Sequence, residues 1–374
     1  MAMLTFLRAA ALAVSVSALL SACSSESGGS VQITTGAPPP PPPPSPPPQS
    51  EAMDFSAVEA EIDAFVVANI AVMVGDENGV IFSHEKGAFA VDERVPLGSA
   101  TKMVTGLLIW DLVDAGVLTT EDNPQDHIGF WTDIAGDGRS EVELGQLLAF
   151  TSGFSATPQN PGCIGDGAVS LAACVQDIYM DGLDDTPGEA LYYGPEHMQI
   201  AALMAQEAAG EGIIDLYSSR LFDRFGLSTN TSFSVLAGDN PRYAGGLRST
   251  AQDFGLLLQA VLAGDLVQDR DGFLADRHSD AFVAFRPDAV ELNGFDWRYG
   301  FGYWKECADQ QFTQACQGDP VISSAGAFGF TPWIDFDAGY WGVIAMNEAD
   351  AFGRGFESGA ERLVHGDDTP IPGV

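Results

Sequence analysis

The stretch that most constrains this chain is residues 95–118, VPLGSATKMVTGLLIWDLVDAGVL. A turn-like Pro96-Leu97-Gly98 leads into Ser99, with Lys102 three positions on, and then a long apolar run to Gly116. Met103, Val104, Leu107, Leu108, Leu112 and Val113 recur at helical spacing. The segment therefore reads as a buried helix with Ser99 in its first turn. Residues at i and i+3 share a helix face, so the Lys102 nitrogen can reach the Ser99 hydroxyl. A helix N-terminus also offers unpaired N–H groups where negative charge on oxygen would form. Burial lowers a lysine pKa, which turns an ammonium into a usable base. The alternative is structural: Ser99 only caps the helix and Lys102 snorkels to solvent. Lysine is scarce in this chain, with Lys86, Lys102 and Lys305 its only examples. A lysine placed inside an apolar helix is for that reason hard to treat as incidental.

A second Ser-x-x-Lys, Ser83-His84-Glu85-Lys86, is followed by Gly87 and a strand-like run. No apolar helix follows to hold serine and lysine on one face, so it is expected to be an exposed turn.

The formal net charge of −36, from 52 acidic and 16 basic residues, argues against nucleic acid and against anionic membrane surfaces as partners. The first residues have the layout of a targeting segment. Arg8 is followed by an apolar core over 9–20 and then by Leu20-Ser21-Ala22-Cys23. Residues 1–22 resemble a bacterial lipoprotein signal peptide with Cys23 as the lipidated residue. An ordinary secretory signal is the rival. The apolar run is short for a membrane span. The lipoprotein reading implies a periplasmic protein, anchored to a bacterial membrane and most simply the outer one, its partner there being the membrane through the lipid. Residues 23–52 are Ser/Gly-rich and then proline-rich, and are expected to form an extended polyproline II spacer.

Four further cysteines form two close pairs, Cys163 with Cys174 and Cys307 with Cys316. In an exported chain this suggests two local disulfides. A zinc site is disfavoured by the spacing and by the lack of neighbouring histidines, so no metal is expected.

The remaining pattern runs strands, helices, strands. Residues 55–67 are helical, 70–74 and 79–82 form a hairpin, and a mostly helical region spans roughly 120–265. Within it helices are expected near 198–209, 213–225 and 250–263, and 160–187 is expected to be loop-rich. Strands are expected at 299–304, 321–330, 331–337 and 339–347, and a last helix at 350–364. The fold class is α+β: an antiparallel sheet, an α/β sandwich built from both chain ends and flanked by N- and C-terminal helices, with a helical region inserted. The folded domain covers 53–366 and leaves 367–374 as a tail.

Five segments in order resemble the serine β-lactamase and penicillin-recognising family, on the side of class C β-lactamases, D-alanyl-D-alanine carboxypeptidases and related esterases. Ser99-Ala-Thr-Lys102 is similar to the Ser-x-x-Lys helix start. Leu147-Leu-Ala-Phe-Thr-Ser-Gly153 resembles LLxHTSG, and Pro187-Gly-Glu-Ala-Leu-Tyr-Tyr193-Gly-Pro195 resembles PGxxFxYSN. Gly245-Gly-Leu-Arg-Ser-Thr-Ala-Gln-Asp253 resembles GGLxSTAxDL, and Tyr299-Gly-Phe-Gly-Tyr-Trp304 resembles YGLGW. The class A companions Ser-Asp-Asn and Lys-Thr-Gly are absent, and Gly238-Asp239-Asn240 is a poor substitute. There is no Gly-x-Ser-x-Gly elbow of a triad hydrolase either.

The resemblance implies roles. Ser99 is the acylated nucleophile and Lys102 helps to deprotonate it. Tyr193 completes proton transfer, with its phenol pKa lowered by lysine charge. Ser324-Ala325-Gly326 is the third motif, and the backbone N–H groups of Ser99 and Ala327 form the oxyanion hole. No cofactor is implied, and the substrate is a small or peptidoglycan-like acyl compound. The chain also departs from the pattern. Pro195 replaces the second-motif Asn, Ser324 replaces the third-motif cation, and Phe150 replaces the His of LLxHTSG. These losses count against penicillins and D-alanine peptides and suit an esterase-like member acting on a neutral acyl group. The leading expectation is a serine hydrolase acting through an acyl-enzyme on an ester or amide; a β-lactamase or D-alanyl-D-alanine carboxypeptidase is the runner-up among enzymes, and a catalytically silent binding protein is the competing reading of another class. His197, near Tyr193, is expected at the surface.

Overall fold

A computed structural model describes residues 54–155, 162–234, 238–275, 280–287, 297–306 and 321–347. The expected signal segment, Cys23, the proline-rich stretch, the Cys307/Cys316 pair and the expected helix at 350–364 lie outside the described residues.

The helices are α1 Ser56–Ala64, α2 Thr101–Asp114, α3 Leu144–Leu148, α4 Leu171–Asp181, α5 Glu196–Ala209, α6 Ile213–Leu216, α7 Ala251–Ala263 and α8 Arg270–Leu274. The strands are β1 Ile70–Asp76, β2 Gly79–Lys86, β3 Val95–Pro96, β4 Ala190–Tyr192, β5 Ser232–Phe233, β6 Leu247–Ser249, β7 Phe282–Phe285, β8 Arg298–Tyr299, β9 Trp304–Lys305, β10 Val321–Ser323, β11 Thr331–Asp335 and β12 Tyr340–Ala345. Among the described residues one antiparallel sheet has seven strands, in the order β2-β1-β12-β11-β10-β9-β8. It joins the two ends of the domain, as expected for an α+β fold. Two smaller sheets, β3-β6-β5 and the parallel pair β4-β7, border the helical region.

The inner strands β1, β11 and β12 are buried on both faces because they are mostly apolar, while the edge strand β2 is polar and partly exposed. In β1, Val72 and Val74 pack with Phe55, Val58 and Ile62 of the α1 side, while Ala71 and Met73 face the main core. Strand β12 alternates in the same way, with Ile344 on the α1 side and Trp341 and Val343 on the other. The two-residue side-chain period of a strand makes this partition.

Helix α2 lies in the main core, and residues 101–112 are all buried. A helix that is apolar all round needs such a place. Asp111 and Thr105 in it are matched, whereas the Trp110 indole N–H has no hydrogen-bond partner among the described residues. Asp111 accepts from Arg220 and Arg224, each at 2.7 Å. Thr105 donates to the Tyr243 carbonyl at 2.7 Å and meets the Tyr217 hydroxyl at 2.6 Å. At Gly106 a Cβ would stand 1.9 Å from the Phe301 carbonyl oxygen, so only glycine lets the helix approach the β8–β9 turn.

Four local expectations change. Residues 83–86 are the end of β2, not a turn, because they pair with Ile70–Met73 of β1, and Lys86 reaches the carbonyls of Ile62 and Phe65 at the end of α1. Ser83 and Lys86 then point to opposite sheet faces. The 299–304 stretch is a hairpin rather than one strand, with Gly302 at φ +83° turning the chain. Residues 324–330 leave the sheet as a turn after β10. The 160–187 region contains α4, whose Ser170 caps the helix by accepting from Ala173 N–H. Cys163 and Cys174 are disulfide-bonded and fasten α4 to the preceding loop.

Candidate active site

Ser99 sits in a single 3₁₀ turn, Gly98–Ala100, directly before α2. The turn is reached through β3, whose partner β6 belongs to the GGLRST segment. Gly98 has φ +53°, and a Cβ there would stand 2.7 Å from the Ala327 backbone nitrogen. Glycine thus brings the nucleophile turn against the loop that follows β10. Ala327 N–H consequently lies beside the residue preceding Ser99, where an oxyanion donor is needed. On the same side a Cβ at Gly326 would meet the Leu97 carbonyl at 2.0 Å.

Lys102 is buried, with 4% of its surface exposed, while Ser99 stays partly open. Lys102 Nζ stands 3.0 Å from Ser99 Oγ and donates to the Ala244 carbonyl at 2.7 Å. Removal from water pushes the Lys102 pKa down to about 7. A neutral amine here keeps its N–H on Ala244 and turns its lone pair to the Ser99 hydroxyl.

Tyr193 directly follows β4, and its backbone N–H donates to the Phe285 carbonyl of β7 at 3.0 Å. Its ring lies 4.6 Å from Lys102 Nζ, and its hydroxyl faces those of Ser99 and Tyr299. The lysine meets the ring face, a cation–π placement. Contrary to the sequence expectation, the phenol pKa is raised. Desolvation outweighs the hydrogen bonds that would lower it. Between the two partners of Ser99, Lys102 is therefore the better base, and Tyr193 keeps its proton at neutral pH.

Ser324, in the third-motif position, hydrogen-bonds the Ser99 carbonyl at 3.2 Å and the Gly302 carbonyl at 3.3 Å. It ties the strand side of the site to the nucleophile turn. Tyr299 on β8 completes the cluster. Its ring stacks on Phe150 at 4.4 Å and meets Trp304 edge-on at 4.8 Å.

Phe150 is the only non-glycine residue with positive φ among the described residues, at +61°. A β-carbon is disfavoured there, so its surroundings must hold it. Thr151 N–H donates to the Gln146 carbonyl at 2.8 Å, and Tyr192 N–H donates to the Phe150 carbonyl at 2.9 Å. The second contact fixes the residue next to Tyr193.

His197 is fully buried, not on the surface. Its Nε2 faces the Tyr192 carbonyl at 2.9 Å and its Nδ1 faces Ser152 Oγ at 2.9 Å. A carbonyl can only accept, so Nε2 carries the proton and Nδ1 accepts from Ser152. Desolvation holds the ring neutral, with its pKa down to about 4. His197 joins the LLAFTSG and PGEALYYGP segments.

Local sequence reasoning also missed Gln199. Its side chain bridges Asn240, at 2.8 Å, and Tyr243 N–H, at 3.0 Å, and so presents the Ala244 carbonyl to Lys102. Asn240 is buried and donates to the Cys163 carbonyl at 2.7 Å, a structural role. In the GGLRSTAQD segment, Thr250 caps α7 by accepting from Asp253 N–H at 2.9 Å. Asp253 in turn accepts from Ser228 and Thr231.

The order of segments and this geometry agree with a comparison to known families. The family profile described as Beta-lactamase matches residues 56–365. The chain belongs to the Beta-lactamase family. Solved members of this fold include a Bacteroides dorei protein assigned as a beta-lactamase. It is 25% identical with a TM-score of 0.68, the match covering 83% of this chain and 99% of that one. A Beta-lactamase/D-alanine Carboxypeptidase from Yersinia pestis is 16% identical with a TM-score of 0.64, over 82% and 98% of the two chains. EstCE1, described as a hydrolase with promiscuous acyltransferase activity, is 15% identical with a TM-score of 0.62, over 83% and 97%. The latter two identities establish shared fold alone. No curated protein sequence matches the chain.

Proposed function

We propose that this protein is a serine hydrolase that works through an acyl-enzyme on a neutral ester. The observation that carries the reading is the 3.0 Å contact between Ser99 Oγ and a buried Lys102 Nζ whose pKa lies at about 7. In acylation Lys102 takes the Ser99 proton and Ser99 Oγ attacks the acyl carbonyl. The N–H groups of Ser99 and Ala327 hold the oxyanion, and Tyr193 protonates the departing alkoxide. Water then releases the acid by the reverse path.

Two features favour a neutral substrate over a penicillin or a peptide ending in D-alanine. Ser324 carries no charge, and its hydroxyl is committed to two backbone carbonyls. Pro195 has neither a side-chain amide nor a backbone N–H. The acyltransferase chemistry of EstCE1 and the carboxypeptidase label of the Yersinia pestis protein bracket the reactions this fold supports.

The test is competitive labelling by a fluorophosphonate and by a fluorescent penicillin. The expected pattern is fluorophosphonate labelling that disappears in Ser99→Ala, with little penicillin labelling. Strong penicillin labelling at Ser99 would transfer the protein to the β-lactamase or carboxypeptidase reading. Absence of both would leave a silent binding protein.

A further inference from the structure

The Tyr299 hydroxyl is the polar group in this cluster that the mechanism above does not use. Tyr299 is 6% exposed, and its hydroxyl oxygen has no hydrogen-bond partner among the described residues. The ring is clamped by Phe150 at 4.4 Å and Trp304 at 4.8 Å, so it cannot turn away. It meets the Tyr193 ring edge-on at 5.5 Å, and its hydroxyl faces those of Tyr193 and Ser324. Buried hydroxyls left unpaired are costly, and such groups concentrate where function needs them. Ser324 has one proton, and the carbonyls of Ser99 and Gly302 compete for it. Lys102 Nζ is engaged by Ser99 and by the Ala244 carbonyl. The Tyr193 oxygen is thus the nearby acceptor that gains charge in the reaction, and Tyr299 is the donor without another use.

Resting on the hydrolase reading above, we propose that Tyr299 is a positioning residue that makes Tyr193 an effective proton donor to a poor leaving group. When Ser99 attacks, the Oγ–C bond forms and the ester C–O bond breaks. The proton lost by Ser99 goes to Lys102. The leaving alkoxide takes the Tyr193 proton, and Lys102 returns one to Tyr193. While the Tyr193 oxygen is negative, Tyr299 O–H donates to it. A small closing motion of the two hydroxyls suffices, because rings and strands are already in place. The substrate class that needs this device is the alkyl ester, whose alkoxide cannot leave unprotonated. A nitrophenyl ester does not need it.

The test is Tyr299→Phe in the full chain, which keeps the ring stack and removes only O–H. It is assayed on nitrophenyl butyrate and on ethyl butyrate. The expected result is a fall in kcat/KM of about ten- to a hundredfold on the ethyl ester, with the nitrophenyl ester little changed. The melting temperature should hold or rise, since the group removed is an unpaired buried hydroxyl. An equal loss on both esters, or a lower melting temperature with the ester ratio unchanged, overturns the proposal. If the variant does not fold, the wild-type dependence of rate on leaving-group basicity decides: a shallow dependence supports the proposal and a steep one overturns it. Wild-type protein that neither cleaves these esters nor reacts with a fluorophosphonate refutes the hydrolase reading itself. Wild-type turnover with an unchanged ratio in the variant refutes only the role of Tyr299.

Discussion

The base assigned to Lys102 makes a quantitative demand on pH. Burial moves its pKa from 10.5 to about 7, equivalent to about 5 kcal/mol of disfavoured charge. At pH 7 about half of the side chain is neutral, whereas an unshifted lysine would be neutral about once in 3,000 molecules. The shift is therefore worth roughly a thousandfold in available base. Base action needs the deprotonated amine, so acylation should rise with pH and level off above the folded pKa. The assay is the second-order rate of Ser99 modification by an uncharged fluorophosphonate, followed from about pH 5 to 9. The expected curve is a single sigmoid with its midpoint near 7. Lys102→Arg keeps the positive charge but cannot release its proton, and should slow the reaction by about a hundred- to ten-thousandfold. A flat profile, a midpoint near that of an ordinary lysine, or a working arginine variant would each refute base catalysis by Lys102.

Two further predictions concern groups that hold the site in place. Glu196, the first residue of α5, is 3% exposed, and neither carboxyl oxygen has a hydrogen-bond partner among the described residues. Burial raises its pKa from 4.5 to about 7, so the folded state binds the proton more tightly than the unfolded chain. That contribution is complete below about pH 4.5 and is lost as pH rises through about 7, a decline of about 3 kcal/mol. Glu196→Gln should flatten the decline, and urea midpoints at mildly acidic and mildly alkaline pH would reveal it; parallel behaviour of the two proteins contradicts it. Asp111 is buried between the two arginines that fasten α2. Asp111→Ala should cost about 2–3 kcal/mol by urea unfolding, less than a fully buried triad because both guanidinium groups are partly wet. A loss under about 0.5 kcal/mol would mean the contacts are ordinary surface pairs.

Much of the site was legible because its central pair is local. Ser99 and Lys102 are one helical turn apart, and the apolar run that follows them can only be an interior helix. The hairpin of β1 and β2 was equally readable from two apolar runs on either side of an Asp-Glu-Asn-Gly turn. What escaped depends on the tertiary fold. His197 looks polar in sequence, yet its two ring nitrogens are matched by Ser152 and the Tyr192 carbonyl, groups that only the fold brings near it. The Tyr193 phenol sits close to a lysine, which suggested a lowered pKa; the lysine meets the ring face and desolvation dominates. The YGFGYW stretch has strand composition, but the Gly302 turn against α2 folds it into a hairpin and points Tyr299 at Tyr193. Helix α4 was hidden in a region rich in Gly, Pro and Asp, where its cap and its disulfide are the organising features.

The central claim is that Ser99 forms the acyl-enzyme. The direct measurement is the mass of the protein quenched in acid during turnover of a neutral butyrate ester, followed by mapping of the modified peptide. The account predicts a butyryl adduct on the peptide containing Ser99, absent from Ser99→Ala together with the turnover. An adduct on another residue, or undiminished turnover in Ser99→Ala, would contradict it.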